Sequence, residues 1–197
     1  MSFKLGLTGS IGMGKSTTAQ MFRDRGLPVW DADATVHRLY SAGGKATKEV
    51  AKIAPEAIGE NGVDRGKLRD AIAADPGLLK KIEHIVHPLV VMDRFEFIQN
   101  SSDPILVFDI PLIYETNTAS EFDAVAVVSA DAELQRARVL ERPNMDEDAL
   151  NMILSKQVGD AEKRARADYI IDTTTIDTAK ADVSRILSDI EERISDA

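Results

Sequence analysis

Between Gly9 and Ser16 the chain reads Gly-Ser-Ile-Gly-Met-Gly-Lys-Ser, which fits G-x-x-x-x-G-K-S, a pattern that folds its backbone around a chain of phosphates. Glycines permit positive φ and a close approach to an anion, so N–H groups along Gly9, Ser10, Ile11, Gly12, Met13 and Gly14 can turn inward as a nest. Lys15 adds a mobile positive charge for the outer phosphates, and the Ser16 hydroxyl suits a magnesium ion that bridges them. The helix opening at Lys15, Ser16 and Thr17 brings unpaired N–H groups and the positive end of its dipole to the same place. The chemistry written here is binding and transfer of a nucleotide phosphate.

Other residues qualify by position. Asp31-Ala32-Asp33 follows the short apolar run Leu27 to Trp30, where an open α/β sheet presents its ligand-facing strand ends. Asp33 suits proton abstraction from an attacking hydroxyl, or holding magnesium through water, whereas Asp31 suits a helix cap. Asp109 ends the run Pro104 to Asp109. It is either an outer-sphere magnesium ligand or a turn residue before Pro111, and the sequence does not choose. Arg138 and Arg142 stand four apart, so on one helix they share a face and reach one anion. Arg65 opens a predicted helix, and His87 precedes Pro88, which should kink or restart the helix around it. For each of these two a packed or solvated side chain is the default reading, and a phosphate or ribose contact is the alternative.

The elements that must carry these residues follow from periodicity. Apolar runs at 3–7, 26–30, 104–110, 124–128 and 169–172 read as five short strands, each followed by helix, which implies a parallel sheet with helices on both faces. From 34 to 100 the pattern is helical (about 34–42, 45–54, 65–74 and 76–99), an interval too long for a simple crossover and suited to an inserted acceptor-binding subdomain. Segments 136–142 and 146–156, with basic residues Lys163, Arg164 and Arg166 beyond them, suit a lid. A helix over 178–195 closes the chain.

Composition narrows the class. The 197 residues carry a net charge of −9, which argues against nucleic acid as partner, since a phosphate backbone calls for a basic face. No apolar run approaches a membrane span, the first strand begins too early for a signal peptide, and the absence of cysteine excludes disulfides and thiolate metal sites. A cytoplasmic protein without membrane, nucleic-acid or obligate protein partner is expected.

Taken in order, these motifs resemble the dephospho-coenzyme A kinase family. The likeness runs from Gly6-Leu7-Thr8 through the glycine loop to Asp31-Ala32-Asp33, His87-Pro88-Leu89-Val90, Ile110-Pro111-Leu112-Ile113 and Glu115. It continues with Gln135, Arg138, Arg142, Gln157, Lys163 and Ala167-Asp168. The resemblance implies a P-loop NTPase fold, three-layer α/β/α with a five-stranded parallel sheet. Its core would be 1–33, 101–135 and 167–197, the helical substrate-binding insertion 34–100 and the lid 136–166. It implies ATP and Mg2+ as cofactors and transfer of the γ-phosphoryl group to the ribose 3′-hydroxyl of dephospho-CoA. Asp33 would be the base, Lys15 and Arg142 would stabilise the phosphates with Arg138, Ser16 would hold magnesium, and Arg65 and His87 would face the acceptor. Where the family commonly carries Asn after the Ala-Asp pair, this chain has Thr173, so backbone contacts are the alternative for adenine. The nearest rival is a kinase of a nucleoside monophosphate or small metabolite. A guanine-nucleotide switch is disfavoured by the lack of N-K-x-D and of a D-x-x-G segment after the third strand.

Overall fold

A computed structural model describes residues 2–196; positions 1 and 197 of the expected core lie outside the described residues. The strands are β1 (Phe3–Thr8), β2 (Val29–Asp31), β3 (Ile58–Gly59), β4 (Gly62–Val63), β5 (Ile105–Asp109), β6 (Ala124–Ser129) and β7 (Tyr169–Asp172). The helices are α1 (Lys15–Asp24), α2 (Ala32–Tyr40), α3 (Thr47–Ile53), α4 (Arg65–Ala74), α5 (Gly77–Asn100), α6 (Ala132–Leu140), α7 (Glu147–Leu154), α8 (Asp160–Arg166) and α9 (Ile176–Ser195).

Five strands form one sheet in the order β2-β5-β1-β6-β7, with β1 parallel to both β5 and β6, and β6 parallel to β7. The chain therefore runs outward from β1 to one side and later returns to build on the other. The end of β1 is the switch point at which open α/β sheets bind ligands. Register sets Leu7 beside Asp109, Thr8 beside Val127 and Ser129 beside Asp172, so the strand tips share one edge.

Alternation along the strands fills two layers. Leu5, Leu7, Val107, Ala126, Val128 and Ile171 join Phe22 of α1 and the stripe Val183, Ile186, Leu187 and Ile190 of α9, spaced as one helical face. Val125 and Val127 look the other way, onto Ile113 and Tyr114. A fully buried aliphatic side chain contributes about 1.5–3 kcal/mol, so the α9 stripe alone ties that helix firmly to the sheet.

The described chain divides into two compact units, one comprising residues up to Trp30 and from Ser101 onward, the other Asp31–Asn100. The second unit has a core of its own: Leu39, Val50, Leu68, Leu78, Ile82 and Val86, from the four helices α2 to α5. It also holds an antiparallel pair that helical periodicity did not foresee, with Ile58 opposite Val63 and Gly59 opposite Gly62. Gly59 to Gly62, in the interval between the helical ranges 45–54 and 65–74, is the turn of this hairpin. Gly62 has φ of 103°, and a Cβ there would lie 2.1 Å from the Tyr40 carbonyl oxygen, so no other residue fits without displacing the end of α2.

Two helix boundaries differ from expectation. α2 begins two residues earlier, because the Asp31 carboxylate accepts from the Ala34 N–H at 2.8 Å as its N-cap, which places Asp33 in the first turn. α5 runs without interruption past Pro88, so the proline does not restart it. Asp131 occupies the N-cap position of α6, but its side chain makes no capping bond.

Candidate active site

Gly9 leaves β1 under constraint from β6: a Cβ there would fall 2.3 Å from the Val128 side chain and 2.9 Å from its carbonyl oxygen. Gly12 and Gly14 take φ of 78° and 84°, the left-handed conformations anticipated for the loop. Gly14 is the N-cap of α1, and no side chain caps that helix. Its first N–H groups are thus left for an anion, and the dipole favours one there. Ser16 and Thr17 are exposed on this first turn.

Lys15 is held by Asp109. Its ammonium makes an ion pair and hydrogen bond with Asp109 Oδ1, where the carboxylate is almost wholly buried. Sequence left Asp109 between a magnesium-water ligand and a turn residue; its partner here, Lys15, was named by neither reading. The pair keeps the lysine at the strand tips rather than free in solvent.

A cavity of about 350 Å3 opens beside the loop, lined by Gly12, Gly14, Thr17 and Met21 on one side and by Arg138, Arg142, Thr175 and Ile176 on the other. Arg138 and Arg142 do meet there, although not as two positions of one helix. α6 ends at Leu140, and Arg142 lies beyond it in the turn before Asn144, which itself has φ of 60°. Arg138 is also anchored, donating to the Thr173 carbonyl at 2.7 Å. Thr173, noted in sequence only for the Asn it replaces, is buried and ties the site together. Its hydroxyl lies 2.8 Å from the Met13 carbonyl and 3.1 Å from that of Ser129, and its side chain fills the space beside Gly14.

The segment read as a basic stretch conceals a buried ion pair. Lys163 is fully buried, with its ammonium 2.8 Å from Glu115 Oε1, and the same oxygen accepts from the Val158 N–H at 2.9 Å. Burial alone would raise the Glu115 carboxyl, but the Lys163 ammonium and the N–H donors of Glu115 and Val158 together bring it below its ordinary value. Lys163 is therefore not a lid cation facing phosphates. Two positively charged neighbours in the sequence, Arg164 and Arg166, are exposed.

In the second unit Asp33 is exposed in the first turn of α2, and His37, one turn on, shares its face. His37 and Tyr40 line a cavity of about 480 Å3 together with Ser41, Asn61, Val63 and Arg65. Arg65 is the first residue of α4, whose N-cap Asp64 accepts from Gly66 and Lys67 N–H groups at 2.8 and 3.0 Å. Those bonds hold the Asp64 carboxyl below its ordinary value, while burial raises the Tyr40 hydroxyl against the opposing charge of Arg65. His87 is exposed midway along α5 and is not among the residues lining this cavity. Of the acceptor-side residues named from sequence, Arg65 lines this cavity, and Asp33 and His87 are not among its lining residues.

No group of three or more His, Cys, Asp or Glu among the described residues has a geometry to hold a metal. The oxygen donors that are present, the Ser16 hydroxyl and the Asp109 carboxylate, fit magnesium, which keeps most of its waters and takes phosphate oxygens as ligands.

A loop of this form at the switch point of a parallel α/β sheet, with arginines lining the cavity beside it, is the working surface of a P-loop kinase. The family model described as dephospho-CoA kinase matches residues 3–189, and the chain belongs to that family. It is 53% identical over 98% of its length to a dephospho-CoA kinase of Jannaschia sp. (strain CCS1), covering 99% of that protein. With a dephospho-CoA kinase of Cereibacter sphaeroides it shares 51% identity, over 96% of each chain. A crystal structure of TT1252 from Thermus thermophilus superposes with a TM-score of 0.84 at 28% identity, covering 95% of this chain and 97% of the other.

Proposed function

We propose that this protein transfers the γ-phosphoryl group of ATP to the ribose 3′-hydroxyl of dephospho-CoA, yielding CoA and ADP, the last step of coenzyme A biosynthesis. The observation that carries the reading is the loop-side cavity. The uncapped start of α1, whose first residue is Lys15, and two arginines border one volume in a chain whose net charge is −9. Local positive charge against an acidic background marks where phosphates bind. Family membership supplies the acceptor.

In this reading the loop N–H groups up to Thr17, other than those of Ile11 and Met13, which Gln157 and Ser10 take, join the Lys15 ammonium in stabilising the β- and γ-phosphates. Arg138 and Arg142 approach them from segment 136–166, which acts as a lid, and the purine side of the nucleotide takes the cavity space at Thr175 and Ile176. Ser16 would hold magnesium, with Asp109 reaching its waters; when bound, the ion neutralises charge on the phosphates. Asp33 orients the ribose hydroxyl and accepts its proton, Arg65 and His87 contact the acceptor, and 34–100 is the acceptor-binding subdomain. The bond that forms joins the 3′-oxygen to the γ-phosphorus, and the bond that breaks releases ADP. Positioning and charge neutralisation suffice for such a transfer, without covalent help from the protein.

No helix of the described chain is long and apolar enough to cross a membrane. On the same reading the protein works in the cytoplasm with small-molecule partners only. The test is ADP release with dephospho-CoA set against adenosine, AMP and shikimate. Turnover is expected with dephospho-CoA alone; turnover with another acceptor and none with dephospho-CoA would overturn the assignment.

A further inference from the structure

Both backbone groups of Ile11, at the apex of the phosphate loop, are occupied by side-chain amides from the two legs of the segment that carries Arg138 and Arg142. Gln135, on α6, donates from Nε2 to the Ile11 carbonyl at 2.7 Å. Gln157, just past α7, accepts the Ile11 N–H on Oε1 at 3.2 Å. Next to this clamp the loop packs on α6 directly: a Cβ on Gly12 would lie 2.9 Å from the Gln135 carbonyl oxygen and 2.6 Å from the Val139 side chain. Gln135 is 7% exposed.

We infer that Gln135 and Gln157 are positioning residues that hold the phosphate loop and the two-arginine segment in register through the single residue Ile11. The chemistry fixes which end of each amide is used. A carbonyl only accepts, so Gln135 must present its NH2; an N–H only donates, so Gln157 must present its oxygen. The segment from 136 to 156 is thus suspended at both ends from one loop residue, and Arg138 and Arg142 lie between the suspension points. A small shift of Ile11 displaces both arginines relative to the loop, and misplacement of about 1 Å in such a site is costly to turnover. A second tie, from Arg138 through Thr173 to Met13, repeats the connection two residues along. Neither glutamine is itself among the residues lining the cavity, so each acts through the loop and not on the reacting atoms.

The inference rests on the loop binding the ATP phosphates, and its test separates the two ideas. Four variants of the full chain, Gln135→Met, Gln135→Glu, Gln157→Met and Gln157→Glu, are compared by amide exchange at Ile11 in the free protein and by steady-state kinetics. A carboxylate can replace the Gln157 acceptor but not the Gln135 donor. Gln157→Met is expected to speed exchange of the Ile11 amide roughly tenfold, the scale of one lost hydrogen bond, while Gln157→Glu keeps it slow. Gln135→Met and Gln135→Glu are expected to raise the KM for ATP roughly tenfold and leave the KM for the acceptor unchanged. General loss of folded protein would lower kcat alone. Unchanged Ile11 exchange in Gln157→Met, or a wild-type KM for ATP in Gln135→Glu, would overturn the inference. The exchange measurement needs no substrate, so it stands even if dephospho-CoA proves not to be the acceptor.

Discussion

Replacing Lys163 by Met is predicted to be among the most destabilising changes in the chain, although it lies in a run that reads as solvent-facing charge. Lys163 is fully buried and Glu115 keeps 12% exposure, so the mutation removes one partner of a buried pair and strands the other. Met retains most of the lysine volume and opens little cavity, which leaves the uncompensated carboxylate as the dominant cost. Breaking a buried pair in this way costs about 3–5 kcal/mol. The residual exposure of Glu115 and its bond from the Val158 N–H favour the lower end, about 3 kcal/mol. At about 2–4 °C per kcal/mol for a chain of this size, Tm falls by roughly 6–12 °C. The double variant Lys163→Met with Glu115→Gln separates charge stranding from packing. Gln still accepts from Val158, and among the described residues Glu115 Oε2 and the Lys163 ammonium have no further hydrogen-bond partners. Removing both charges should therefore recover most of the loss. Thermal and urea melts of the single and double variants decide the matter. A single variant within about 1 kcal/mol of wild type, or a double variant as unstable as the single, refutes the argument.

Other perturbations test other parts of the molecule. Asp33→Asn should leave ATP binding nearly intact and reduce kcat roughly 100-fold or more, the usual scale for a general base; wild-type turnover would remove Asp33 from the mechanism. Thr173→Val keeps the shape beside Gly14 but loses the hydroxyl that meets the Met13 and Ser129 carbonyls, for an expected loss of about 1–3 kcal/mol in a urea melt and a higher KM for ATP. Gly62→Ala meets both positive φ and the Tyr40 carbonyl, so it should destabilise by more than about 1 kcal/mol, read by exchange of the amides of α2 and the β3-β4 hairpin. All three tyrosines, Tyr40, Tyr114 and Tyr169, have hydroxyls raised above 10.0, chiefly by burial, and Tyr169 is pushed up to about 12 by burial and its hydrogen bond to Asp189. The folded state then binds more protons than the unfolded one above pH 10, so the stability gained there is whole below pH 10 and is lost as pH rises toward 12. An ultraviolet titration showing native tyrosinate forming at the same pH as in urea would contradict this.

Much of this was legible in the sequence because it is written in local signals. Gly12 and Gly14 sit at positive φ as the motif requires, Asp31 caps α2, and each core strand announced itself as an apolar run. What the sequence hid depends on residues far apart in the chain. Asp109 to Lys15, Glu115 to Lys163, Gln135 and Gln157 to Ile11, and Thr173 to Met13 are all pairings that no periodicity encodes. Local signals misled in two places: Lys163 looked like a lid cation because its neighbours are basic, and helical spacing placed Arg142 on a helix that ends before it. The β3-β4 hairpin escaped because strands of two residues are too short to show alternation.

The place at which Asp31–Asn100 enters the sheet carries one more implication. Strands β2 and β5 are immediate neighbours, and a parallel pair needs a crossover whatever else the chain does. A single helix would have satisfied that demand; here the crossover has grown into a unit with its own core. Its core residues are none of those that pack α1 and α9 on the sheet. On the proposed reading, acceptor choice becomes a cassette, and grafting a relative's 31–100 between β2 and β5 is the natural route to a chimera with a new acceptor and an old donor.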